Sequence, residues 1–327
     1  MRTRIAYAWV LALDVACALA CALGIGSCHR RGSLDAARVA CVEILADGHL
    51  EASGWFADAE GHVITAGHAV RRTDARYEIL WPGHGRYSAH LVGADPGHDI
   101  GLLRAEGLEC RPPFLRLAAS VPPAGSRLQM YGMAQFRHGV WIGGQVARPE
   151  PTFNYYSHLR WPTRCYLVAA PAPPGVSGGP WIDEAGRVAG TQSGFINQGS
   201  ASSGLAIVAP PDAIGHLLRV RGPVRRGTMG CGFEELCSQP AGFIRRLPKD
   251  IEGIITIPIE PGGPAARAGL TRESLIRAVD ARPVRYQHEV IEILQAHRPG
   301  DVLTLDVWDA DARNARTVRV TLEDVPP

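Results

Sequence analysis

Apolar positions in this chain come in short runs separated by turn-forming residues. Between residues 38 and 118 the runs are Val39–Ile44, Trp55-Phe56, Val63–Thr65, Tyr77–Trp81 and Ile100–Leu103, punctuated by Gly, Asp and Pro. Short β-rich runs at even spacing predict a barrel or sandwich. A proline-rich stretch follows, with Pro112-Pro113 and Pro122-Pro123, and a second β-rich block extends from Leu128 to about Val208. Pro210-Pro211-Asp212 then precedes Ala213–Leu218, which predicts a short helix with Asp212 near its start. Residues 221–227, RGPVRRG, read as a linker. The C-terminal region predicts a smaller α/β unit. Its helix is about Gln287–His297, with Val290, Ile291 and Leu294 on one apolar stripe and Pro299-Gly300 at its end. Two alternating strands close the chain, Val302–Trp308 and Thr317–Leu322.

The N-terminus has a different pattern. Arg2 and Arg4 precede an apolar run over residues 5–27, broken by Asp14. A charged start followed by an apolar stretch is the pattern of an export signal, and its length approaches that of an uncleaved membrane anchor. Ala18-Leu19-Ala20 offers a cleavage site, and Ile25-Gly26-Ser27-Cys28 resembles a bacterial lipobox that would leave Cys28 lipidated. All three alternatives export the protein, so residues 1–28 are expected to be a signal or anchor.

Composition adds little. A chain of 327 residues, 46% hydrophobic, is long enough for about two ordinary domains. Few aromatics and many Gly and Pro favour strands and turns over a helical bundle. A formal net charge of +2 gives no reason to expect a nucleic-acid partner. Outside the signal the cysteines are Cys41, Cys110, Cys165, Cys231 and Cys237, with no CxxC pair, so neither a metal site nor a cofactor is expected. Cys231 and Cys237 are near enough in sequence to bridge. A metal reading of His62 with His68 lacks a carboxylate or Cys at ligand spacing.

Three segments carry chemistry. In Gly175-Val176-Ser177-Gly178-Gly179-Pro180, glycines flank a serine on a sharp turn. Such a turn exposes the hydroxyl and aims backbone N–H groups, here those of Gly175 and Ser177, at one spot where an oxyanion could sit. In Val63–Val70 an apolar strand ends in small residues and then His68, whose neutral imidazole can take a hydroxyl proton near pH 7. In Asp95–Leu103, Asp99 opens an apolar strand, where a buried carboxylate could orient that imidazole. Asp95 reads as a turn residue before Pro96.

The order His68, Asp99, Ser177 is that of chymotrypsin-like enzymes. Residues 52–70, 77–104, 175–194 and 203–214 resemble the HtrA/Deg family of serine proteases. The resemblance implies a mostly β protein: a double β-barrel, chymotrypsin-like protease domain over residues 29–220 and a small α/β PDZ domain over residues 221–327. The triad would lie in the cleft between the barrels. It further implies a cell-envelope or periplasmic endopeptidase, membrane-associated, cleaving misfolded or signalling proteins through an acyl-enzyme. Pro171 would floor the primary pocket, excluding an acid there and favouring small or medium apolar residues before the scissile bond. Gly190-Thr191-Gln192-Ser193 would pair with the substrate backbone. Thr228-Met229-Gly230-Cys231 would capture a peptide C-terminus, with Val290 and Leu294 facing the groove. Trimers are common in the family, but residues 29–38 lack the aromatics that build them. Three departures stand out: Val176 replaces the usual Asn, prolines stiffen Val168–Pro174, and Glu273-Ser274 replaces a Gly-Asp. The first two motivate an alternative reading, a non-catalytic peptide-binding scaffold.

Overall fold

The structure, a computed structural model, describes residues 34–156, 161–198, 201–309 and 313–324. The expected signal or anchor, residues 1–28, lies outside them. No helix among the described residues is long and apolar enough to cross a membrane. A helix at 34–40 (α1) takes up part of the first expected strand, so β1 begins at Cys41. The alanines at 36, 37 and 40 favour helix there.

The first β-rich block closes into a barrel of β1 (Cys41–Ala46), β2 (His49–Phe56), β3 (His62–Ala66), β4 (Tyr77–Trp81), β5 (Gly85–Asp95) and β6 (Ile100–Ala105), ordered β1-β2-β3-β6-β5-β4. Closure follows from β1 pairing with both β2 and β4, which leaves no open edge. Ile44, Val63, Ile79 and Leu103 fill the interior, and Phe56 meets Trp81 edge-on at 5.1 Å.

The second block closes likewise: β7 (Arg127–Ala134), β8 (Arg137–Tyr156), β9 (Trp161–Ala169), β10 (Pro180–Ile182), β11 (Val188–Gln198) and β12 (Ala201–Ala209), ordered β10-β11-β12-β9-β8-β7. Its core holds Leu128, Met130, Tyr166, Val176 and Trp181. The proline-rich segment between the barrels is pinned to both: Leu115 N–H donates to Phe56 O (3.0 Å) and Ala118 N–H to Val188 O (2.9 Å). A further core joins the barrels through Trp55, Ile64, Leu102, Ile182 and Val188. Ile214 and Leu217 of α2 (Pro211–Val220) cover it. Pro211 opens that helix, where its missing N–H costs nothing, and Asp212 lies in the first turn.

The C-terminal unit begins with β13 (Gly227–Thr228) and continues through β14 (Cys231–Glu235), α3 (Ala241–Ile244), β15 (Ile254–Ile259), α4 (Pro264–Arg267), β16 (Leu275–Val279), β17 (Arg282–Pro283), α5 (Gln287–Ala296), β18 (Val302–Asp309), β19 (Asn314–Thr321) and β20 (Glu323–Asp324). The sheet order is β14-β15-β16-β18-β19, and β13 pairs with β20. The segment read as a linker is tied to the first barrel: Val224 N–H donates to Ala94 O (2.8 Å) and Arg226 pairs with Asp95 (2.8 Å).

Candidate active site

His68 stands in a short helical turn, Gly67–Val70, directly after β3. Gly67 is required there: a Cβ would lie 3.0 Å from the Asp99 backbone, and Gly67 N–H donates to Asp99 O at 2.8 Å. Asp99 caps the turn Pro96–His98 in the left-handed region (φ 53°) and so turns its carboxylate inward at the start of β6. Asp and Asn tolerate that region better than other side chains. The carboxylate is buried. One oxygen accepts His68 N–H (2.8 Å), and the other accepts His68 Nδ1 (2.8 Å) and the Ser193 hydroxyl (2.5 Å).

These contacts set the titration of the pair. Burial is the largest influence on His68 and pulls its pKa down. The charge and hydrogen bond of Asp99 outweigh it, and the imidazole titrates above its ordinary value. Burial pushes Asp99 up, but the His68 charge and the hydrogen bonds from His68 and Ser193 hold it below the usual carboxylate range.

Ser177 lies on the turn between two left-handed glycines, Gly175 (φ 94°) and Gly178 (φ 85°). Both positions also lack room: a Cβ at 175 would be 2.2 Å from Met133 O, and one at 178 would be 2.1 Å from Ser53 O. The turn is held from both barrels. Ser53 N–H donates to Ser177 O (2.8 Å), and Gly178 N–H donates to Gln192 O (2.7 Å). The Ser53 hydroxyl donates to Gly175 O (2.9 Å) and accepts Met133 N–H (2.9 Å). Ser177 Oγ donates to Ser193 O at 3.2 Å. Among the described residues, neither Gly175 N–H nor Ser177 N–H has an acceptor. The structure therefore gathers a hydroxyl, an imidazole–carboxylate pair and two uncommitted amide donors at the junction of two barrels.

Comparison with known proteins agrees. A family model described as a trypsin-like peptidase domain matches residues 52–190, and one described as a PDZ domain matches residues 257–309. Together with the relatives below, these two domains support an HtrA/Deg serine protease with a PDZ domain. A probable periplasmic serine endoprotease DegP-like of Pseudomonas fluorescens is 27% identical over 284 residues, covering 84% of this chain and 56% of that protein. The chloroplastic Protease Do-like 1 of Arabidopsis thaliana is 26% identical over 296 residues, covering 84% and 64%. The HtrA-type protease AlgW with a decapeptide shares the fold, with a TM-score of 0.66, 18% identity, and coverage of 91% of this chain and 99% of that one. The chain thus spans little more than half the length of the DegP-like relatives it matches.

Within this chain, several expected positions lie elsewhere than anticipated. Gly190, Thr191 and Gln192 are buried and already paired within the barrel, between β10 and β12. They cannot take a substrate as an extra strand. Ser193, also buried, follows Gln192, which Gly178 and Gly179 hold just past the β10 pairing. Pro171 is exposed just after β9, and its neighbour Ala172 is buried instead. Asp95 does precede the Pro96–His98 turn, but its side chain serves a buried ion pair. It is wholly buried and accepts from His98 Nδ1 (2.9 Å) and Arg226 (2.8 Å). His62 does have carboxylates beside it, since Asp58 Oδ2 is 2.7 Å from its Nδ1 and Glu60 is close by. Arg221 reaches the same two carboxylates at 3.5 and 3.3 Å, so a cation already faces the cluster.

In the PDZ unit, Met229, Cys231, Val290 and Leu294 are buried in one core, and Thr228 is buried beside Gly230, whose N–H donates to its hydroxyl (3.0 Å). Phe153 of β8 packs against that core, and Gln287 Nε2 donates to Phe233 O of β14 (2.7 Å). Here the expected groove residues act as core. Cys231 and Cys237 are not bridged: the first is buried, with its thiol pushed up to about 12 by burial, and the second is exposed. Sequence reasoning named Ser193 for substrate pairing but missed its bond to Asp99, and it missed Ser53. An isolated serine carries no signal for contacts made 94 and 122 residues away.

Proposed function

We propose that this chain is a serine endopeptidase working through a Ser177–His68–Asp99 triad. His68 takes the Ser177 proton as Oγ attacks the scissile carbonyl. The amide donors of Gly175 and Ser177 hold the resulting oxyanion. His68 then gives its proton to the leaving amine, and water releases the acyl group by the reverse sequence. Asp99 keeps Nδ1 protonated and aimed, and Ser193 steadies Asp99. The observation that carries this reading is the Asp99 carboxylate, bonded at 2.8 Å to His68 Nδ1 and also to the hydroxyl of Ser193, whose carbonyl accepts Ser177 Oγ. The DegP-like relatives are named periplasmic, and a periplasmic place of action is proposed here too, on misfolded or signalling polypeptides. The PDZ unit is proposed to bind peptide C-termini, which requires Phe153 and Gln287 to yield the groove.

Ser177→Ala is expected to lower casein hydrolysis by about four to six orders of magnitude. A fluorophosphonate should label the native chain at Ser177 and leave the variant untouched. Absence of an adduct on folded native protein would replace this reading with the scaffold one.

A further inference from the structure

The turn between β7 and β8 stands out from the rest of the second barrel. Ala134 pairs with Arg137, so only Gln135 and Phe136 make the connection, and both have left-handed φ (49° and 59°). Two-residue turns of this hand select Asn-Gly or Asp-Gly, because other side chains clash with their own backbone there. A bulky aromatic at such a φ is strained unless something compensates. Packing does not supply it: Phe136 is 55% exposed and joins no core cluster. A lone exposed aromatic is ordinary. A strained one against a nucleophile loop is not.

The turn is docked there. Gln135 N–H donates to Pro174 O at 2.7 Å. A Cβ on Gly175 would meet Phe136 N at 3.3 Å, so Phe136 adjoins the glycine whose amide faces the reacting carbonyl. The opposite end of the nucleophile loop is held by β11, through Gly178 N–H to Gln192 O. Two elements therefore flank Ser177: β11 on one side and the Phe136 turn on the other. A polypeptide crossing the hydroxyl with its acyl half along β11 from Ser193 onward directs its leaving half toward the turn that carries Phe136.

We infer that Phe136 is a specificity-determining residue for the leaving-group side, a ring platform favouring an apolar residue immediately after the scissile bond. The inference rests on the peptidase reading above.

Partitioning of the acyl-enzyme tests it. A peptidyl-valine methyl ester acylates Ser177 and expels methanol. The acyl group then goes either to water or to an added amino-acid amide. In aminolysis the amine forms the new C–N bond as the C–Oγ bond breaks, and its proton passes through His68 to Ser177. Phenylalaninamide and glycinamide are the probes, and the ratio of transfer product to hydrolysis does not depend on how fast the acyl-enzyme forms. In the native chain phenylalaninamide should capture the acyl group better than glycinamide. Phe136→Asn, which suits the turn and deletes the ring, should reduce that preference about fivefold. Phe136→Tyr keeps the ring and should retain it, which holds the test open should the Asn variant fold poorly. Equal partitioning in native and Phe136→Asn protein, or no preference in the native chain, overturns the inference while leaving the peptidase standing. Failure of folded native protein to hydrolyse the ester at all removes the peptidase reading and the inference with it.

Discussion

At the scale of single residues, the site is an exercise in holding one imidazole. His68 is wanted neutral as a base, yet its contacts with Asp99 stabilise the protonated form and raise its pKa. Activity should therefore fall on the acid side with a midpoint above about 6.5, the ordinary histidine value. Asp99→Asn removes the raising influence and leaves burial, which lowers the pKa. The expected result in a kcat/KM profile is an acid limb moved to lower pH and a rate reduced by about four orders of magnitude. An acid limb that stays put would detach His68 from Asp99. Ser193→Ala deletes the hydroxyl at 2.5 Å from Asp99 but leaves both His68 contacts, so kcat should fall by only about tenfold. Each proposed triad position stands in a local motif that the sequence displays. The contacts of Ser193 with Asp99 and of Ser53 with Gly175 leave no such mark, because they exist only across the fold.

Among the elements, the nucleophile turn is the most constrained. Gly178 combines a left-handed φ with a Ser53 carbonyl 2.1 Å from where a Cβ would stand. Gly178→Ala must move a strand of the first barrel, and it should destabilise the chain by about 2–4 kcal/mol in a denaturant titration while abolishing phosphonate labelling. A stability within 0.5 kcal/mol of native would contradict the packing described. The barrel strands were legible in outline from short apolar runs and turns, as was α2 from Pro211, Asp212 and its apolar stripe. Gly190, Thr191 and Gln192 are taken up by pairing within the barrel. That depends on where β10 covers β11, a matter of register that no local pattern records.

For the whole molecule, the tie between the C-terminal unit and the first barrel runs through a buried ion pair. Asp95 is wholly buried, and its carboxyl is pushed up by burial but held well below the usual range by His98 and Arg226. A depressed pKa contributes stability that is present above the unfolded value, near 3.9, and is lost as pH falls through the folded one. Arg226→Met leaves Asp95 buried with less compensation. It should cost about 3 kcal/mol at neutral pH and flatten the stability-versus-pH curve below about pH 4, read by thermal melts. Equal melting temperatures for native and variant at pH 7 would show that the pair carries no stability.

By itself the sequence determined the alternation that makes strands, the glycines a sharp turn demands and the order of three reactive side chains. These are properties of neighbours along the chain, where sterics and period-two burial act over a few residues. Only the tertiary structure decided that Ser193 braces Asp99, that Val290 and Leu294 are core, that Arg226 reaches Asp95 and that the strained Phe136 turn adjoins Gly175. Each of those depends on surfaces brought together by barrel closure and packing, where the energy comes from excluding water between residues a hundred positions apart.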